Sequence, residues 1–250
     1  MTKYFELSVA GIELAPHNWQ NTVGNGIYRM LYIHSGIGGY MSGEEQIPFK
    51  TGFLYFIPSY VNVPTYSSYE SDESRLNHSY VNFELIPPII SNNVIEIDPN
   101  ENSTIRSAVD ILNSLCARCH RRTFNLSEEE LRYFKSTIIF LLETTTKNSD
   151  AYIVKDEALI NALQIMHNEL SAKVTISEIA KRCYLTPEGL TQKFIRYLGE
   201  TPYSYLKKLK IRTALQMRDS GIKLDNVALA CGYSDASALL HAIRKQQQKE

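Results

Sequence analysis

Thr175-Ile176-Ser177-Glu178-Ile179-Ala180-Lys181-Arg182-Cys183-Tyr184-Leu185-Thr186-Pro187 is the stretch from which the rest of this 250-residue chain can be read. Thr175 and Glu178 form a T-x-x-E capping box, in which a hydroxyl and a carboxylate satisfy the free backbone N–H groups of a helix start. Ile179, Ala180 and Cys183 continue it as an apolar stripe. Tyr184-Leu185 reads as a turn. Thr186-Pro187 opens a second helix, a capping residue followed by Pro at the first helical position, and Gly199 is placed for a left-handed C-terminal cap. Helix, short turn, helix is a helix-turn-helix signature.

The second of these helices has two faces. Leu190, Phe194 and Leu198 recur every four residues and belong inside. Glu188, Thr191, Gln192 and Arg196 fall on the other side, a polar and partly cationic face of the kind a major groove accepts. A solvated surface face would look the same, so the neighbouring stretches matter. Thr201-Pro202 opens a further helix with Tyr205, Leu206, Leu209, Ala214, Leu215 and Met217 at packing positions, Lys207, Lys208, Lys210 and Arg212 outward, and an end near Gly221. Asp225 to Ala230 and Asp235 to Gln246 then repeat the layout around Gly232-Tyr233. A connecting helix of about 18 residues spans about 27 Å, and successive major-groove faces on one side of B-DNA lie about 34 Å apart. Two reading helices on such a connector can address adjacent grooves.

The run Ile179-Ala180, Leu185-Thr186-Pro187, Leu190, Phe194, Gly199, Thr201-Pro202, Tyr205-Leu206, Ala214, Ala228 and Gly232-Tyr233-Ser234-Asp235 resembles the DNA-binding domain of AraC/XylS-type transcription regulators. The resemblance implies that the second helix of each unit enters the major groove of double-stranded promoter DNA. That places Glu188, Thr191, Gln192 and Arg196 at the DNA in the first unit, and Ala236, Ser237, Leu240, His241 and Arg244 in the second. The second unit departs from the family. Leu239 and Ile243 stand where Phe is usual, Ala236 and Leu240 where polar residues are usual, and Gln246-Gln247-Gln248-Lys249-Glu250 replaces a Gly-x-x-Pro-x-x-aromatic-Arg ending. This unit is expected to hold DNA through phosphates and shape more than through base edges.

The formal charge of −1 conceals an asymmetry. Residues 157–250 hold 14 Lys and Arg against 9 Asp and Glu, a net +5, and the remaining 12 against 18 give −6. A basic C-terminal part beside an acidic N-terminal part suits a division of labour between DNA and another task. No apolar run approaches a membrane span; Ile138 to Leu142 is ended by Glu143. The N-terminus lacks a secretory pattern, so a cytoplasmic location with four reduced cysteines is expected.

Cys116-Ala117-Arg118-Cys119-His120 matches the attachment signature of c-type haem. That chemistry belongs outside the cytoplasm, and a zinc site would need further ligands, which the single Cys183 and Cys231 do not supply. The pair reads as structural thiols on a helix from Ile105 to Cys119, and no cofactor is expected.

The first 100 residues read as β structure. Tyr28 to His34, Gln46 to Phe49, Phe53 to Ile57 and Asn77 to Leu85 are strand candidates, divided by Ser35-Gly36-Ile37-Gly38-Gly39, Lys50-Thr51-Gly52, Pro58 and the polar run from Ser67 to Ser74. Short strands with regular turns suggest a barrel or sandwich. Gly52-Phe53-Leu54-Tyr55-Phe56-Ile57-Pro58 with Tyr80-Val81-Asn82-Phe83 resembles the cupin-like barrel that precedes the DNA-binding domain in many members. The fold class expected is therefore α+β and multidomain: an N-terminal cupin-like β-barrel with following helices, and a C-terminal all-α domain of two helix-turn-helix units. The domains are placed at residues 1–100 (barrel), 101–148 (helices), 149–156 (linker) and 157–250.

A cupin enzyme needs a H-x-H pair, a Glu and a later His converging on one metal. The chain has no H-x-H, His34 and His78 stand alone, and Val63 occupies the later position. Neither metal site nor enzymatic activity is expected. A small-molecule effector, such as a sugar, is expected instead. Tyr28, Tyr32, Tyr40, Tyr55, Tyr60, Tyr66, Tyr69 and Tyr80 make the region rich in flat apolar area tipped with hydroxyls. By resemblance to effector-binding barrels, His34, Tyr66, His78 and Tyr80 are the expected pocket lining; aromatic packing of a small barrel is the competing reading. The helices of 103–148, the second begun by Ser127 ahead of Glu128, are where the family commonly makes its homodimer contact, and such regulators act on RNA polymerase.

Overall fold

The computed structural model of the chain describes residues 2–16, 19–21, 26–61, 63–67, 71–147, 149–171, 174–219 and 221–247. Tyr69, Asn148 and Gln248 to Glu250 lie outside them. The chain forms two compact units, Met1–Ile153 and Val154–Glu250.

In the first unit the strands are β1 (Tyr4–Leu14), β2 (Gln20–Asn21), β3 (Tyr28–Ser35), β4 (Gly39–Ser42), β5 (Glu45–Pro48), β6 (Leu54–Ile57), β7 (Thr65–Tyr66), β8 (Asn77–Ile86), β9 (Ile89–Ile90), β10 (Ile95–Ile97), β11 (Cys119–Arg121), β12 (Thr123–Phe124) and β13 (Tyr152–Ile153). Helices α1 (Ser103–Cys116) and α2 (Glu128–Lys147) lie between β10 and β13, on either side of the β11–β12 pair. Among the described residues, a seven-stranded sheet runs β10-β6-β3-β8-β1-β11-β12, and a four-stranded sheet runs β2-β7-β4-β5. The first helix stops at Cys116, short of Cys119, because Cys119 to Arg121 turn back to pair with β1. Local pattern gave the helix, and a distant strand ended it.

The large sheet has a core on each face. On one, Tyr28, Met30, Tyr32, Val81, Phe83 and Leu85 pack with Val109, Leu112 and Cys116 of α1 and Phe134, Ile138 and Leu141 of α2. On the other, Leu31, Ile33, Tyr55, Ile57 and Tyr80 pack with Phe49 and Val63, and Tyr40 of the small sheet joins them. A bulge between Leu7 and Val9 is what lets β1 serve both cores. Before it Phe5 and Leu7 face the helices; after it Val9, Gly11 and Glu13 face inward, because one extra residue inverts the two-residue alternation.

The second unit is helical: α3 (Glu157–Asn168), α4 (Ile176–Arg182), α5 (Pro187–Leu198), α6 (Pro202–Asp219), α7 (Leu224–Ala230) and α8 (Ala236–Gln247). The capping box forms, with Glu178 N donating to Thr175 Oγ1 (3.2 Å) and Thr175 N donating to Glu178 Oε2 (3.0 Å). Thr186 caps α5 by accepting from Gly189 N at 3.0 Å, and Gly199 ends it at φ +70°, where a side chain would be strained. Leu190, Phe194 and Leu198 are buried, and Phe194 meets Tyr205 of α6 edge to face at 5.6 Å. Around α7 and α8 a further core gathers Ile211, Ala214, Val227, Ala228, Cys231, Leu239 and Ile243. No helix among the described residues is long and apolar enough to cross a membrane.

Candidate DNA-reading face and interior cavity

Three adjacent strands build a cavity on the inward face of the large sheet. Register pairs Val9 with Asn82, Gly11 with Tyr80 and Glu13 with His78 across β1 and β8, and Arg29 with Asn82, Leu31 with Tyr80 and Ile33 with His78 across β3 and β8. The cavity, about 500 Å³, is lined by Val9, Glu13, Arg29, Leu31, His78, Tyr80, Asn82 and Arg121, with Leu14, Pro16 and Trp19. That is within the usual range for small-molecule sites. Trp19 lies over His78 with ring centroids 5.4 Å apart. Burial pulls the His78 imidazole down to about 4 and pushes the Tyr80 phenol up to about 12, so both are neutral at pH 7.

Of the four residues expected to line a pocket, His78 and Tyr80 are among the residues lining this cavity, and His34 and Tyr66 are not. His34 is the extra residue of a bulge between Ile33 and Ser35, and its Nε2 meets Ser79 Oγ at 2.8 Å, on the opposite sheet face from His78 and Tyr80. Tyr28, Met30 and Tyr32, which share its side of β3, are buried in the core beneath α1 and α2. The two-residue period identified who shares a face, but the helices decided which face is inside. Tyr66 belongs to the small sheet, and its hydroxyl lies so close over Gly39 that a Cβ there would sit 2.6 Å from it. Sequence reading missed Arg29, although an arginine inside the otherwise apolar run from Tyr28 to Ile33 is a usable signal.

Cys116 and Cys119 are free and buried, with Cys116 Sγ 3.9 Å from the Tyr80 carbonyl and Cys119 Sγ 3.3 Å from the Leu115 carbonyl. Burial pushes the Cys119 thiol up to about 11 and the Cys116 thiol higher still, which leaves both protonated at pH 7.

In the second unit, α4, a turn through Tyr184 at φ +57° and α5 form one helix-turn-helix. Glu188, Gln192 and Arg196 on α5 are exposed; Thr191 is half-buried and its hydroxyl donates to the Pro187 carbonyl at 2.8 Å. Arg196 lies over the Tyr197 ring, 5.3 Å from its centroid. Next to α5, Tyr184 is 97% exposed and Tyr203 69%, a wide surface with aromatic rings on it. The repeat α7, Cys231 to Asp235 and α8 places Ser237, His241 and Arg244 outward, while Ala236 and Leu240 are half-buried.

A helix-turn-helix domain family model matches residues 179–248. The chain is 23% identical over 221 residues to the transcriptional activator RhaR of Mannheimia succiniciproducens, covering 83% of this chain and 77% of that protein. It is 29% identical over 91 residues, 36% of this chain and 30% of the other, to a putative AraC-like transcription regulator of Streptomyces antibioticus. Over these residues the chain carries a helix-turn-helix domain similar to those of AraC-like transcription regulators. In fold it is similar to crystal structures of ToxT from Vibrio cholerae. Strain SCE256 ToxT with bound unsaturated fatty acid gives TM-score 0.61 at 10% identity, over 96% of this chain and 91% of that one. The O395 protein gives 0.59 at 13% identity, over 96% and 92%.

Within this helix-turn-helix domain, the basic outer stripe expected on α6 needs correcting. Lys207, Lys208, Lys210 and Arg212 are all half-buried. Lys208 Nζ lies 2.9 Å from Glu200 Oε2, a carboxylate oxygen that also accepts from Ser204 Oγ at 2.7 Å, and Glu200 is 9% exposed. Lys210 is packed against Gly232, and burial lowers its pKa. Among the described residues of this unit the exposed cations are Lys155, Lys181, Arg182, Arg196, Arg218, Lys223, Arg244 and Lys245, with Arg182 paired to Glu169 and Arg218 to Asp219. Lys208→Ala is expected to lower the stability of the second unit by about 2–3 kcal/mol, because it strands a buried carboxylate while the lysine itself still reaches water. Denaturant midpoints of the full chain check this; a change below 0.5 kcal/mol, on the order of an ordinary surface substitution, would mean that the Lys208–Glu200 pair does not hold α6 as described.

Proposed function

We propose that this regulator reads promoter DNA chiefly through the exposed face of α5, and that a small molecule in the cavity between β1, β3 and β8 controls it. The observation that carries the first half is the α5 geometry. A capped helix, anchored by Leu190, Phe194 and Leu198, presents Glu188, Gln192 and Arg196 to solvent. Thr191 contributes through its hydroxyl oxygen, which keeps accepting capacity while its proton is held by Pro187. In α8, Ser237, His241 and Arg244 meet the backbone and groove edge, and Ala236 and Leu240 contribute apolar contact at most. Support for the second half is the half-open cavity with mixed polar and apolar lining.

A homodimer is placed on the outward sides of α1 and α2, where Ile111, Tyr133 and Phe140 are exposed. The effector alters the disposition of units or subunits and, through it, the use of RNA polymerase. The protein works in the cytoplasm and catalyses no reaction.

The test is duplex binding by the full chain across a salt series. Several cation–phosphate contacts demand that log affinity fall linearly with log salt, and a flat dependence would remove the DNA-reading assignment of α5. Within that assay, Gln192→Ala should cost about 1–3 kcal/mol and relax preference at one base position. Arg196→Ala should instead weaken all sequences alike and flatten the salt slope. Equal, sequence-blind losses from both substitutions would take Gln192 off the base edges.

A further inference from the structure

Arg29 is 6% exposed, on a strand whose neighbours on both sides are apolar. Its Nε donates to Asn82 Oδ1 at 2.9 Å, which fixes the plane of the guanidinium. Its Nη1 is shielded from water and has no hydrogen-bond partner. Among the described residues no carboxylate forms an ion pair with it; Glu13 acts on it only through space. Burial lowers the group to about 10, so it is still cationic at pH 7. A buried cation with only an amide for company is costly unless something else pairs with it.

We propose that the cavity is a monocarboxylate site and that Arg29 is the residue that binds the carboxylate of the effector. The proposal rests on the effector reading above and gives it a chemical class. A guanidinium whose Nε is held offers its remaining nitrogens as a planar fork, which matches the two oxygens of a carboxylate. The charge on the wall agrees: Arg29 and Arg121 against Glu13 leave one positive charge, enough for a single negative one. Val9, Leu14, Leu31 and Trp19 supply apolar area for the rest of such a molecule, and neutral His78 and Tyr80 supply polar contacts that add no charge. A neutral polyol would use the same polar contacts but leave the buried cation unpaired.

The test is calorimetric titration of the full chain with matched probes: benzoate and hexanoate, their amides benzamide and hexanamide, and L-rhamnose and L-arabinose. At least one acid should bind, and at least tenfold more tightly than its amide. Asn82→Asp should weaken that binding at least tenfold, because an isosteric carboxylate then neutralises Arg29 from within; it also keeps the fold testable should Arg29→Met not fold. Arg29→Met, where it folds, should show the same loss. Acids and amides binding equally, or sugars binding where acids do not, would overturn the carboxylate assignment and leave the effector reading intact. Absence of heat with every probe also overturns it, and the duplex titration, which needs no ligand, still judges the regulator reading by itself.

Discussion

Phe194→Ala is expected to remove about 3–5 kcal/mol from the second unit, the range for truncating a fully buried aromatic. Phe194 is 0% exposed and meets Tyr205 edge to face, and the Tyr205 hydroxyl contacts His167 Nε2 at 2.9 Å. One truncation therefore loosens three helices, α3, α5 and α6. Total stabilities of small domains are about 5–15 kcal/mol, so the helix carrying Gln192 and Arg196 would lose its seat. Urea unfolding followed in the far ultraviolet, with duplex binding in parallel, measures both effects. A loss under 1 kcal/mol, on the order of an average surface change, would mean that α5 is not anchored as described.

Acid should weaken both units through one buried histidine in each. Burial holds His167 down to about 3, with Arg212 adding to it, and His78 down to about 4, with Arg29 and His34 adding to it. The ordinary value is 6.5, so above that pH each histidine is neutral folded or unfolded and contributes nothing. Below it the unfolded chain takes up a proton that the folded chain refuses. Stability then falls by about 1.4 kcal/mol per pH unit for each histidine, about 2.7 kcal/mol each at pH 4.5, and the fall levels off below pH 3–4. Thermal unfolding between pH 7.5 and 4.5 reads this directly. His167→Gln should flatten the slope of the second unit while leaving that of the first, and a flat profile in the unsubstituted protein would show that both rings accept protons in place.

The second unit was legible residue by residue because its signals are local. Thr175 with Glu178, Thr186 with Pro187, and Gly199 each specify a helix end through atoms within a few positions of themselves. The apolar spacing of Leu190, Phe194 and Leu198 then needs no knowledge of the partner to say which side is inside. The first unit was legible only as strands and turns. Strand β1 carries two opposite alternations joined at a bulge, and no window of sequence shows where the inversion falls. His34 was misplaced for a related reason, since period two groups residues without saying which group meets the cavity. Lys208 and Lys210 looked like surface charges until Glu200 and Gly232 came up against them.

The sequence by itself determined the double helix-turn-helix, its caps, the two-faced helix α5 and the β character of the first hundred residues, because these follow from hydrogen bonds and spacing inside single elements. Only the tertiary structure decided which face of β3 and β8 encloses the cavity, and that Arg29 stands on its wall with a nitrogen unpaired. Those are questions of which elements cover which, and burial of an apolar face is settled by what packs on it from far along the chain.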